Sequence, residues 1–300
     1  MTEERFKRIV VMQRMQQQSL MKLKNNKDYK ALIKEKKMSY EVFAQRCREG
    51  HGFTKVIKGY QSVVLHLTKR IFNADTEKQI ETAWNEKVQS GAVKRNDQLV
   101  ALFPEQTSVE NSVLHLSRYA TDFKHYITTR EVAAPQIWLS GPSAVTRIIR
   151  EVDSLYIIGE RKSKNLNTGG ALEFVPGGFL KAAHLYDADP LRSTLEEELD
   201  EETGIKPTYI ASITPLWYGE LEKFPDGRAS RNVCLDYLMN IEDITQRQVQ
   251  EQFASKEREH TQLMFVPEHE LVSFGEANYA RFNTRGLCTF EQLIAQGVLA

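Results

Sequence analysis

The stretch Asp189-Pro190-Leu191-Arg192-Ser193-Thr194-Leu195-Glu196-Glu197-Glu198-Leu199-Asp200-Glu201-Glu202-Thr203-Gly204 decides how this chain is understood. Asp189 can cap free amides and proline is tolerated at the first helical position, so the pair starts a helix. Gly204 stops it, because glycine adopts the left-handed conformation that ends helices without steric cost. Leu191, Leu195 and Leu199 recur every fourth residue and form a narrow apolar stripe that anchors the helix to a core.

On the remaining surface, Glu198, Glu201 and Glu202 are spaced i, i+3, i+4, so their carboxylates gather on one face. Residues 196–202 hold six acids and no base. Like charges four apart cost about 0.2–0.5 kcal/mol per pair, and acids near a helix C-terminus also oppose its dipole. A solvated acidic face is the simple explanation of such a run. A hard divalent cation explains more, since Mg²⁺ and its relatives take carboxylate oxygens together with phosphates.

Upstream, Glu173-Phe174-Val175-Pro176-Gly177-Gly178 reads as a strand running into a double-glycine turn. Other strands are expected at residues 99–103, 112–116, 144–149, 155–159, 210–218, 233–239 and 263–266, and helices at 75–90, 189–203, 268–273 and 289–296. Residues 119–127 fit either type. Strands interleaved with a few helices indicate an α+β fold with a mixed sheet.

Residues 1–50 carry 13 Lys/Arg against 6 Asp/Glu and show apolar residues at helical spacing. Expected there are a helix around Phe6 to Leu23, a second at 29–37, and a third capped by Ser39 and ending at Gly50. A solvated face over a packed stripe accounts for the basic charge, and RNA is a further candidate partner. A linker near 132–135 divides the chain into a helical and mixed region, 1–135, and a second unit, 136–300.

Across the whole chain Lys plus Arg and Asp plus Glu balance at 40 each, so global charge gives no argument for nucleic-acid or membrane binding. Cys47, Cys234 and Cys288 are odd in number and far apart, which fits reduced thiols serving as small core residues. No apolar run approaches the ~18 residues of a membrane span, and the N-terminus makes a poor signal peptide; the expected location is cytoplasmic.

The string from Glu197 to Ile205 resembles the second half of the Nudix box, Arg-Glu-aliphatic-any-Glu-Glu-any-Gly-aliphatic, with eight of nine places conforming. The strand and Gly177-Gly178 turn are similar to the opening of that box. The resemblance spans roughly residues 139–273 and implies a Nudix-type α/β/α sandwich preceded by the helical and mixed N-terminal region. It departs twice: Glu197 stands where the box has arginine, and Gly178 to Glu198 is 20 positions where the pattern has 15, with no early glutamate. Arg192, one turn earlier, is the candidate replacement for the missing cation.

The implied activity is metal-dependent hydrolysis of a diphosphate bond in a nucleoside diphosphate-linked substrate, with Mg²⁺ or Mn²⁺ as cofactor. Carried over by residue, Glu198, Glu201 and Glu202 are metal ligands together with Gly177, and Gly178 lets substrate phosphate approach the backbone. Glu198 and Glu201 are thereby catalytic, and Glu259, or second to it Glu257, supplies a late-loop carboxylate as ligand or general base. Trp217, Tyr218 and Phe224 are candidates to stack on a base, with Arg228 and Arg231 meeting phosphate. Asp189 is explained as a cap and His184 as a loop residue. Other readings are a module that binds a nucleotide or nucleotide sugar with little turnover, and an RNA-processing or decapping enzyme. A homodimer is a further candidate assembly.

Overall fold

The computed structural model describes residues 27–93, 95–132, 134–150, 153–162 and 170–299. The expected helix around Phe6 lies outside them. The two segments expected after it are one helix, α1 (Lys27–Gly50). Ser39 therefore sits inside a helix rather than capping one; no proline or glycine interrupts the chain before Gly50, so nothing forces a break.

Strands β1 (Lys55–Lys58) and β2 (Ser62–Leu67) follow, both short and without a regular apolar–polar alternation. Helix α2 (Ala74–Gln89) is capped by Asn73, whose Oδ1 accepts the Thr76 amide at 2.8 Å. Strands β3 (Gln98–Glu110) and β4 (Val113–Asp122) pair antiparallel. The ambiguous stretch 119–127 is divided between the end of β4 and a short helix, α3 (Phe123–Thr128), with Asp122 as the cap between them.

The second half supplies β5 (Trp138–Ile148), β6 (Leu155–Arg161), β7 (Leu172–Phe174), the acidic helix α4 (Pro190–Thr203), β8 (Ile210–Lys223) and β9 (Ala229–Ile241). Helix α5 (Gln246–Ala254), β10 (His260–Pro267), α6 (Leu271–Ala277) and α7 (Thr284–Ala295) complete it. Helix α5 was not expected, although Thr245 and Gln248 form a reciprocal capping box at its start.

Among the described residues ten strands form one mixed sheet, ordered β1-β8-β9-β5-β3-β4-β2, with β6, β7 and β10 branching from β5. Strands β5 and β9 run parallel, as do β2 and β4; the other pairs are antiparallel. Strands on both sides of residue 135 share this sheet, since Ala101 and Leu102 of β3 pair with Leu139 and Trp138 of β5.

The sheet separates two packed layers. Leu191, Leu195 and Leu199 of α4 meet Val100, Leu102, Leu116, Ile157 and Leu235 on one side. Phe43 of α1 and Leu287 and Phe290 of α7 meet Phe174 and Trp217 on the other. The fold is thus α+β with helices on both faces of a mixed sheet, as expected. Burying each leucine of the α4 stripe stabilises the fold by roughly 1.5–3 kcal/mol, which holds the acidic face in a fixed orientation. No helix of the described residues is long and apolar enough to cross a membrane.

Candidate active site

Helix α4 begins and ends as its sequence demands. Asp189 accepts the Arg192 amide at 3.1 Å, and Gly204 closes the helix at φ 85°. The dipole problem posed by acids at this end has a local answer in Arg258, a buried side chain that sequence inspection passed over. Its Nη1 donates to the carbonyls of Asp200 at 2.5 Å and Glu201 at 2.6 Å, and its Nη2 donates to Gln252 at 3.1 Å. One guanidinium therefore caps the carbonyl ends of both α4 and α5.

The double glycine lies alongside β5, where the Gly178 amide donates to Pro142 at 3.2 Å and Ser143 bridges Gly177. From there it reaches the acidic face. The Gly177 amide donates to Glu202 Oε2 at 3.1 Å. A Cβ on Gly178 would fall 2.3 Å from the Glu198 carboxyl carbon, and one on Gly177 would fall 2.1 Å from the Arg285 guanidinium. At both positions a side chain would displace the charged end of a neighbouring one, so glycine is what lets these groups lie against the backbone.

Glu202 is 2% exposed and Glu198 9% exposed, which is deep for acids. Burial pushes the Glu198 carboxyl above its ordinary range. Burial and the neighbouring Glu173 push Glu202 well above it. Glu173 goes the other way: burial opposes its charge, but His260, Arg161 and Arg285 together hold it low.

The three expected ligands do not converge on one point. Among the described residues two groups bring three ligand atoms within 4.8 Å of one another, and Glu198, Glu201 and Glu202 are not one of them. Glu202 turns toward Glu173 and His260, which form the first group. Arg161 joins it, bonding Glu173 closely, standing 3.9 Å from Glu202 and bonding Glu259 at 3.0 Å. His260 Nε2 meets Glu173 at 2.9 Å, and Asn283 donates to Glu173 Oε2 at 2.8 Å.

Glu198 and Glu201 turn instead toward Lys181, whose Nζ lies 3.3 and 3.4 Å from them and 3.0 Å from Glu197. Burial works against the ammonium, but these carboxylates raise its affinity for the proton well above the usual value. Glu197, in the place of the box arginine, also meets His184 at 2.7 Å, and His184 meets Asp187 at 2.9 Å. His184 is therefore more than a loop residue. Arg192 does not replace the missing cation, because it bonds Glu196 at 2.7 Å across the previous turn.

The second group, His51, Cys288 and Glu291, is not arranged for a metal. The Phe53 amide donates to His51 Nδ1 at 3.0 Å, so the proton sits on Nε2 and points at Glu291, 3.0 Å away. With Arg48 at 2.7 Å on the other Glu291 oxygen, this is an internal ion pair between α1 and α7.

The expected substrate side chains fare unevenly. Trp217 and Tyr218 are fully buried, which corrects their expected role in stacking on a base. Trp217 donates to Asp236 at 3.0 Å, and the Tyr218 hydroxyl bonds Glu220 at 2.8 Å and Thr107 at 3.2 Å. Arg228 bonds Asp226 at 2.7 Å in the turn after Phe224, and Arg231 bonds Glu222 at 3.0 Å and lies over Trp138. None of these contacts reaches the acidic helix. Of the late-loop acids, Glu259 is drawn to the site by Arg161, while the exposed Glu257 meets Lys162 at 3.0 Å.

The donors fit a hard divalent cation. They are carboxylate oxygens, two of them on nearly buried side chains, beside a glycine backbone that a Cβ would push away. Five acids, Glu173, Glu198, Glu201, Glu202 and Glu259, share three permanent cations, Arg161, Arg285 and Lys181, with His260 beside Glu173.

No family model matches the chain, and no curated protein matches it. Among solved structures it is similar to a mutT/nudix family protein from Listeria innocua, at 15% identity over 53% of this chain and 94% of that one, with a TM-score of 0.37. It is also similar to the Nudix domain of Shewanella oneidensis NrtR complexed with ADP ribose, at 19% identity over 58% and 97% of the two chains, with a TM-score of 0.38. A C. elegans Ap4A hydrolase binary complex is similar at 9% identity over 53% and 97%, with a TM-score of 0.32. What the site does rests on its own residues.

Proposed function

We propose that this protein hydrolyses a diphosphate bond in a nucleoside diphosphate-linked substrate, using Mg²⁺ or Mn²⁺ held by Glu198, Glu201, Glu202 and the Gly177 carbonyl, and that it works in the cytoplasm. The observation that carries the reading is the close approach of two nearly buried acids on one helix to the Gly177-Gly178 backbone. When bound, the ion polarises a phosphoryl oxygen and stabilises charge on the leaving oxygen.

The chain supplies the rest. Gly178, lacking a side chain, admits a phosphate to the backbone. Arg161 holds Glu259 Oε2, so that this carboxylate can take a proton from the attacking water as its oxygen bonds to phosphorus and the phosphoanhydride bond breaks. Helix α4 fixes the acids against the sheet. Arg228 and Arg231 remain proposed contacts for substrate phosphate.

A second reading, a nucleotide-binding module with little turnover, is favoured by one observation: Lys181 already neutralises part of the acidic face. Phosphate release over a panel of nucleotides with Mg²⁺ or Mn²⁺ separates the two. Turnover that falls by roughly 100-fold or more in Glu198→Gln and Glu202→Gln supports the enzyme. Ligand binding without turnover under either metal rejects it in favour of the binding module.

A further inference from the structure

The backbone at Leu180 and Lys181 is pinned by the sheet. Leu180 donates to Ser140 and accepts from Val100, both at 2.9 Å, and Lys181 itself bridges Leu99 of β3. From that anchor the side chain crosses to α4 and places one ammonium among three carboxylates. Two of the three, Glu198 and Glu201, are acids assigned above to the divalent ion. An ammonium is a compact point charge that seeks the same hard oxygens. It cannot share them with a second cation without strong repulsion at such separations.

We propose that Lys181 is a tethered counter-cation that competes with the divalent ion for Glu198 and Glu201, and so sets the metal concentration at which the site fills. This inference rests on the metal-binding reading of the acidic face. It also gives Glu197 a purpose. With an acid where the box pattern has arginine, the ammonium keeps a partner at 3.0 Å when metal takes the other two, and His184 holds that acid in place from the opposite side. Lys181 is about one-third exposed, so it has room to turn outward.

The test is Mn²⁺ titration of the full chain, followed by electron paramagnetic resonance without nucleotide. Lys181→Met should bind Mn²⁺ about tenfold more tightly or better, because one repelling charge is gone. Lys181→Arg, which keeps the charge, should stay near the wild-type affinity. Glu197→Gln should bind more weakly, since the ammonium then leans wholly on Glu198 and Glu201. A gain of affinity in Lys181→Met is not what damage to the fold produces. Wild-type binding with equal or weaker binding in Lys181→Met overturns the inference alone. No binding in any of the four proteins overturns the metal-site reading and the inference with it.

Discussion

Arg161 and Glu259 meet at 3.0 Å across the gap between the end of β6 and the loop before β10. The same guanidinium bonds the buried Glu173 and faces Glu202. It thus links acids from three separate elements, a task that no residue of the acidic helix itself performs.

Replacing Arg161 by methionine leaves Glu173 and Glu202 buried without that charge. Removing one partner of a buried ion pair costs about 3–5 kcal/mol. The urea midpoint of Arg161→Met should fall accordingly, and Arg161→Lys should recover part of the loss. A midpoint within the error of wild type would show that the guanidinium does not hold this cluster together.

Gly178→Ala tests the site separately from the fold. The new methyl collides with the end of a side chain, the Glu198 carboxyl, which can move aside. Melting temperature should therefore change little while turnover drops by about 100-fold, the usual effect of a misplacement near 1 Å. Unchanged turnover argues that the position of Glu198 is immaterial.

Asp236 is a fully buried carboxylate that binds strands to helix. It accepts from Ser143 at 2.7 Å, Trp217 at 3.0 Å and Thr289 at 2.5 Å. An asparagine in its place must turn its amide toward Ser143, whose hydroxyl then has to accept instead of donate, or toward the Trp217 and Thr289 donors, so Asp236→Asn should lose about 1–3 kcal/mol. Chemical denaturation measures this, and near-UV circular dichroism should report the disturbed Trp217.

Stability should also depend on pH through His125. Its hydrogen bond to Asp122 at 2.6 Å, helped by Glu77 at 3.1 Å, raises the imidazole above its ordinary pKa of about 6.5. A raised pKa means the folded state holds the proton more tightly. The contribution is complete below that ordinary value and drains away as pH rises through the elevated one. His125→Gln should cost more at about pH 5.5 than at about pH 9. Equal losses at both would assign His125 a packing role only, through its stack on Phe72.

Much of the fold was legible because local rules agreed with global ones. The cap, leucine stripe and glycine stop of α4 are consecutive signals, and the core strands are long apolar runs. What escaped was either short, as with β1 and β2, or polar, as with α5, whose signal was its capping box. In the site, spacing along one helix placed Glu198, Glu201 and Glu202 on one face. It could not show that partners from β6, β7 and the glycine loop divide them. Arg161 meets Glu173 through the pairing of β6 with β7, and Lys181 is set against the helix by its bridge to Leu99 of β3; such pairings leave no periodic trace. The place of Trp217 was illegible for a related reason: an aromatic next to a tyrosine on a strand looks the same whether it faces solvent or a buried aspartate.

The pairing of β3 with the glycine loop has a consequence for how the molecule could be dissected. Leu99 and Val100 belong to the first half of the sequence, yet they clamp the backbone from which Lys181 reaches its acids. A fragment beginning at residue 136 would keep every carboxylate of the site and lose the rail on which its internal cation rides. The half that carries the acids thus takes part of its ionic arrangement from backbone it does not contain.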